Sequence, residues 1–295
     1  MLRHSSANDK HLDRIVILGA GGFIGREILR QLSSRKLQAL PLGRKNIDLL
    51  QDESEKKLLA ILRPSDTLIF ISALAPCKNL IMLQDNLKMA NIICNVLEKL
   101  ALAHVIYVSS DAVYKDSLEL ITEDSCAEPG SLHGIMHLAR EVALRQSYSG
   151  PLAIVRPTLV YGFDDPHNGY GPNRFRRLAS NGEPIILFGE GEERRDHVCV
   201  QDVADLISRI ALKRSNGVIN AVSGEVASFR EVAEFIANDF PLKSQIMGSE
   251  RIGPMPHGGY RAFNNKALLE AFPDLRFKGW REGLRLVNQR HRLEP

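Results

Sequence analysis

Gly19, Gly22 and Gly25, three residues apart in Gly19-Ala20-Gly21-Gly22-Phe23-Ile24-Gly25, are the residues best suited to holding a phosphate. Glycines let the backbone approach an anion, and a helix starting there points its free N–H groups and positive dipole end at it. The apolar run Ile15-Val16-Ile17-Leu18 before them and the helical pattern from Arg26 to Leu32 after them give the strand–turn–helix context of a dinucleotide site. About twenty residues beyond the loop, where such a fold selects its cofactor, stands Gly43-Arg44-Lys45. An acid at Gly43 would accept ribose hydroxyls and favour NAD. Arg44 can instead fork onto a 2′-phosphate, which favours NADP with NAD still possible; the plain alternative is a solvated basic turn. Asp48 either sits near the adenine or caps the next helix.

These residues need a sheet to hold them. Leu37–Leu42, Thr67–Ala73, Val105–Val108, Leu152–Val155 and Val218–Val222 read as further strands, alternating with helices at Leu58–Leu62, Leu80–Leu102 and 134–148. The alternation and the continuous apolar runs predict an α/β fold, a doubly wound parallel sheet of the Rossmann type. Ser109-Ser110-Asp111 ends a strand at the carboxyl edge, where ligands of such sheets bind. From about residue 163 the chain turns polar and loop-rich, with helices at Asn173–Ser180, from Asp202, at Phe229–Asp239 and at Arg281–Val287. The expected organisation is a disordered tail at 1–12, a dinucleotide-binding domain at 13–165 plus about 196–222, and a smaller substrate-binding lobe at about 166–195 plus 223–295. A formal charge of +3 gives no argument for nucleic acid or a membrane, and no apolar run reaches the ~20 residues of a bilayer span. The four cysteines show neither disulfide nor metal spacing, which fits a reduced, cytoplasmic protein.

Several stretches in order resemble the extended short-chain dehydrogenase/reductase family of NAD(P)-dependent nucleotide-sugar epimerases, dehydratases and reductases. They are Gly19/Gly22/Gly25, Tyr107-Val108-Ser109-Ser110 with Val113-Tyr114, Arg156-Pro157 with Tyr161-Gly162, Arg195-Asp196-His197-Val198 with Asp202-Val203-Ala204, and Asn220 with Gly224. The resemblance implies cofactor contacts at Gly19, Gly22, Phe23, Ile24, Gly25, Arg44, Asp48, Ala73 and His137. It makes Ser110 the hydroxyl that bonds the reacting sugar oxygen; a serine that only caps backbone is the alternative. Asp111 falls where related dehydratases carry an acid, but Ala112 stands in place of its partner. Asn173 and Arg195, and more weakly Arg261, match diphosphate ligands, a task that suits the planar guanidinium fork. A homodimer is also implied.

One departure concerns the chemistry itself. The family pairs a tyrosine acid/base with a lysine four residues later, yet Asp111, Leu118, Leu152, Asp165, Arg174 and Asn264 follow the six tyrosines at that distance. His133 and His137 occupy the matching positions. One reading makes them proton carriers, since imidazole titrates near ~6.5, with Ser110, Tyr161, Tyr170 or a water completing the reach. A second makes the protein a binder of NADP(H) or a nucleotide without turnover. A third places a metal on the two rings, one helical turn apart; no third ligand is evident, because Glu141 reads as an ion-pairing surface residue. The expected activity is hydride transfer at a carbon of a nucleotide-linked sugar, the expected cofactor NADP, and no metal is expected.

Overall fold

The computed structural model describes residues 2–5 and 14–293. In chain order the first part runs β1 (Ile15–Leu18), α1 (Phe23–Ser34), β2 (Ala39–Leu42), α2 (Glu53–Ile61), β3 (Thr67–Phe70), α3 (Leu80–Lys99), β4 (His104–Val108), α4 (Leu132–Ser147) and β5 (Leu152–Pro157). Then come β6 (Leu159–Tyr161), α5 (Pro172–Ser180), β7 (Ile185–Phe188), β8 (Arg194–Cys199), α6 (Val200–Leu212) and β9 (Gly217–Ala221). The chain closes with β10 (Val226–Ser228), α7 (Phe229–Asp239), β11 (Ile246–Ser249), β12 (Tyr260–Arg261), α8 (Lys266–Ala271) and α9 (Trp280–Leu293).

β1, β3 and β4 are buried at every position because helices cover both faces of their sheet. The sheet has six strands in the order β2-β1-β3-β4-β5-β9, all parallel. Ile28 and Leu32 of α1 pack with Val203, Ile207 and Ile210 of α6 on one face. Leu58, Ile92, Ile93, Val96 and Leu144 from α2, α3 and α4 cover the other. Strand order reverses between β1 and β3, so loops leave their carboxyl ends in opposite directions and open a crevice there. Two glycines close that end of the sheet. Gly19 has φ +96°, and a Cβ on it would lie 2.8 Å from the Ser72 amide nitrogen. A Cβ on Gly25 would lie 2.3 Å from the Gly19 carbonyl oxygen, so only glycine lets α1 settle on the turn.

The second lobe is built from β6, β8, β10 and β12, plus the β7–β11 pair. Phe175, Phe229, Val232, Ile236, Trp280 and Leu284 of α5, α7 and α9 form its core. The division expected near residue 195 falls inside β8, which pairs with β6 at Leu159↔His197 and with β10 at Ala227↔Arg195. Of the tail expected to be disordered, residues 2–5 instead follow the body of the protein. Arg3 exchanges backbone hydrogen bonds of 2.8 and 2.7 Å with Asn216, and the His4 ring reaches Ser215 Oγ and the Ala271 carbonyl, both at 2.8 Å. The rest of that tail lies outside the described residues. Among the described residues no helix is long and apolar enough to cross a membrane.

Candidate functional site

The crevice at the strand reversal holds a cavity of about 640 Å³. Its wall carries Gly19, Gly22, Phe23 and Ile24 of the turn, Arg44 and Asp48 beyond β2, Ala73 beyond β3, Ser110 beyond β4, and His133 and His137 of α4. Gly25 does not line it and serves the packing of α1. That helix has no side-chain cap and no acid in its first turn, so its leading N–H groups are left for an anion. Arg44, 71% exposed, places Nε 3.3 Å from Asp48 Oδ2. Asp48 does not cap α2, whose N-cap is Asp52. It accepts the Leu50 N–H at 3.2 Å, and this bond together with Arg44 holds its carboxyl below the ordinary value.

His133 and His137 meet edge to face with ring centroids 4.7 Å apart. The Cys77 backbone N–H points at His133 Nδ1 from 3.4 Å, and the Tyr107 hydroxyl lies 2.7 Å from His137 Nδ1. Burial lowers both imidazole pKa values, His137's far below the usual range, and the nearby Arg140 lowers both further. Both rings are therefore neutral at pH 7. Arg140 is fully buried and has no carboxylate partner among its hydrogen bonds; it donates to the Ser72 and Asn86 carbonyls and to Asn86 Oδ1 at 2.7–3.0 Å. Asn86 in turn bonds the Leu74 N–H and carbonyl, which fixes the backbone beside Ala73.

Two expectations about neighbouring side chains are corrected. Glu141 is not at the surface: it is fully buried, with Arg156 donating to both its oxygens at 2.9 and 2.6 Å and Ser109 Oγ donating at 2.6 Å. Tyr161 and Tyr170 do not reach the cavity. Tyr161 is buried with its hydroxyl toward the Trp280 carbonyl, and Tyr170 stacks on Phe188 and accepts that residue's N–H. No tyrosine lines the cavity. Among the described residues no group of three or more His, Cys, Asp or Glu side chains gathers as a metal site would require.

Ser110 both lines the cavity and caps: its Oγ accepts the Ala112 N–H at 3.1 Å. Asp111 turns away into the second lobe. Burial would raise its pKa, but Arg261 and Arg195 outweigh burial and hold it below the ordinary value. Arg261 Nε donates to Asp111 Oδ2 at 2.9 Å, its Nη2 bonds the Asp111 carbonyl, and its Nη1 bonds Asp116 Oδ1 at 2.8 Å. A diphosphate would have to compete with two carboxylates for it. Arg195 lies 3.8 Å from Asp111 and 3.2 Å from Glu193, and its buried Nε has no partner. Asn173, at the start of α5, accepts the Gly162 N–H at 2.9 Å. Arg195, Arg261 and Asn173 thus stand outside the cavity wall; the donors of Arg261 are all engaged, Arg195 keeps an unpartnered Nε, and Asn173 is bonded only through its Oδ1 acceptor. Sequence reasoning missed Tyr107 and Arg140, as well as Thr158, Asp165 and His167 in the wall.

A model of the NAD dependent epimerase/dehydratase family matches residues 15–222, and the chain belongs to that family. It is 28% identical over 174 residues to a UDP-N-acetyl-alpha-D-glucosaminuronate decarboxylase of Bacillus cytotoxicus, covering 55% of this chain and 54% of the relative. It is 24% identical over 273 residues to a dTDP-4-dehydro-6-deoxy-D-allose reductase of Streptomyces bikiniensis, 75% of this chain and 79% of that one. The chain thus spans only about half the length of the first of these curated relatives. The fold superposes on a Thermus thermophilus UDP-glucose 4-epimerase complex with NAD at a TM-score of 0.83 and 22% identity, covering 95% and 99% of the two chains.

His197 of β8 gives a pH test of this lobe. It is buried against Phe229; neither ring nitrogen has a well-formed hydrogen bond, although the Ala227 backbone is close, and burial with Arg195 pushes its pKa down to about 3. The folded state keeps the ring neutral while the unfolded chain protonates near ~6.5, so stability falls as pH drops below that value. Between pH 7 and 5 this one group removes roughly 2 kcal/mol. His197→Phe should lose about that much less over the interval in urea titrations, whereas equal losses in both proteins would refute the assignment.

Proposed function

We propose that the chain binds NADP(H) in the crevice and transfers hydride at a carbon of a nucleotide-linked sugar. The observation that carries this reading is the continuity of one wall, from Arg44 past the glycine turn to Ser110, His133 and His137. The turn's N–H groups suit a diphosphate, Arg44 a 2′-phosphate, and His137 a ribose hydroxyl. The dinucleotide, when bound, supplies or takes up the hydride. Ser110 polarises the sugar oxygen: its Oγ accepts the Ala112 N–H, and its proton, which here reaches Asp111 Oδ1 only at 3.4 Å, turns to the sugar oxygen. Arg195, with its uncommitted Nε, and Asn173 hold the nucleotide's diphosphate. A second reading, a dinucleotide-binding protein without turnover, draws support from the absence of any tyrosine in the cavity wall.

Incubation with sugar nucleotides and NADPH or NADP⁺ separates the two readings. Turnover read at the nicotinamide absorbance, or as an isomerised sugar, is expected; stabilisation by NADPH with no turnover would favour the second. Ser110→Ala should reduce kcat by about a hundredfold, and Arg195→Ala should raise KM about tenfold with little change in kcat.

Cofactor choice has its own test. Arg44→Ser should weaken NADPH about tenfold and leave NADH unchanged, as expected for one charged contact to phosphate. Equal affinity of the unaltered protein for both nucleotides would remove Arg44 from the selection.

We also propose a homodimer. Leu80, Ile81 and Leu87 of α3 and Ile135 and Val142 of α4 are exposed on two helices that pack together, a surface that a second copy can cover. A single-chain mass in sedimentation equilibrium would contradict it.

A further inference from the structure

The hydrogen bonds behind the two histidines say which nitrogen of each carries its proton. A backbone N–H can only donate, so His133 Nδ1, facing the Cys77 amide at 3.4 Å, must be the bare nitrogen. At His137 the partner is the Tyr107 hydroxyl at 2.7 Å, which could in principle give or take. Tyr107 is fully buried on β4, and burial pushes its pKa up to about 12, so the phenol keeps its proton. Among the described residues His137 Nδ1 is the hydrogen-bond partner of that hydroxyl, and the nearby Arg140 can only donate. The phenol proton therefore has Nδ1 of His137 as its acceptor. Each ring has its Nδ1 edge turned to a donor in the protein and belongs to a residue of the cavity wall.

We propose that His133 and His137 are both fixed as neutral Nε2–H donors facing the cavity, and that they bind oxygen atoms rather than carry protons. Tyr107 is the positioning residue for His137, and the Cys77 amide does the same for His133. A ring held this way has no lone pair to offer a substrate proton or a metal ion, because its only bare nitrogen is already engaged. The pair suits acceptors such as ribose hydroxyls, a carbonyl or an alkoxide, and Ser110 is left as the hydroxyl able to exchange a proton. This assignment deepens the hydride-transfer reading and rests on it only for the turnover measurements below.

Long-range ¹H–¹⁵N correlation on ¹⁵N-labelled protein at pH 7.5 reads the tautomers without any substrate, with His133→Gln and His137→Gln identifying the signals. Both rings should show a bare Nδ1 and a protonated Nε2. In Tyr107→Phe the His137 signals should move toward a tautomer mixture while those of His133 stay in place. A protonated Nδ1 in either ring, or no response to Tyr107→Phe, would overturn the proposal.

Glutamine supplies a neutral N–H near the place of Nε2 but cannot accept and return a proton. Each Gln variant should keep NADPH affinity within about threefold and turnover within about tenfold, and the corresponding Ala variants should fall well below both. A Gln variant that binds NADPH normally yet is as inactive as Ala would show that proton transfer is required. If the unaltered protein turns over no sugar nucleotide, the hydride reading fails; the tautomers and NADPH affinities still decide this one.

Discussion

The geometry of the site depends on one buried carboxylate. Glu141 sits on the inward face of α4 and receives Arg156 of β5 through two bonds and Ser109 of the β4 end through a third. Those three contacts fix where α4 lies relative to two strand ends. α4 carries His133 and His137, the β4 end carries Ser110, and the β5 end leads to Pro157 and Thr158 in the cavity wall. The pair is a poor source of net stability, because the cost of drying two charges offsets most of their attraction, but breaking one partner leaves a charge stranded at about 3–5 kcal/mol. Its worth is positional. Arg156 extends the same network by lying over the Tyr114 ring, whose hydroxyl bonds Asn220 of β9.

Burial rather than charge decides the electrostatics one and two turns earlier on the same side of α4. A histidine beside a carboxylate usually gains a proton, and Asp111 does pull His133 that way. Desolvation outweighs it, and Arg140 adds to desolvation. Arg140 is itself unusual: its charge is met by carbonyl oxygens of Ser72 and Asn86, by Asn86 Oδ1 and by the face of Phe70, with no carboxylate in the set. This positive charge lies about one turn beyond His137 on α4, outside the cavity wall. Asp111 shows the opposite balance, ionised despite burial because two guanidinium groups face it.

What was legible in the sequence follows from how local each signal is. The glycine turn and the six parallel strands are written in contiguous residues, and β1, β3 and β4 read as apolar runs because both faces of their sheet are covered. β8 was hidden because its residues are Arg194-Arg195-Asp196-His197-Val198-Cys199, and a strand whose polar side chains turn inward looks like a solvated loop. Glu141 misled for the same reason: a charge on a helix is solvated unless its partner is buried with it, and that partner, Arg156, lies on another element. Tyr107 and Arg140 carried no visible sign because their meaning lies in a contact between β4 and α4, thirty residues apart at Tyr107 and His137. His4 was missed likewise, its partners Ser215 and Ala271 being at the far end of the chain.

The two ends of the cavity are built to different standards, and this bears on how the site can vary. At the Arg44 end the guanidinium is mostly in water and its pairing with Asp48 is weak and screened, so exchanging that side chain disturbs little else. At the Ser110 end the histidines and Ser109 are each tied to a partner in the protein: His133 to the Cys77 amide, His137 to Tyr107, and Ser109, through its hydroxyl, to Glu141. A change there propagates through α4 to two strands. Under the proposed function, cofactor selection can therefore drift by surface substitution, while a changed reaction needs coordinated replacement of side chains outside the cavity wall. The glycine turn between the two ends belongs to the rigid side, since Gly25 leaves α1 no room for a methyl group. His133 and His137 stand at that rigid end, each with a donor from the protein behind its ring, so neither can be exchanged without disturbing the elements packed against it.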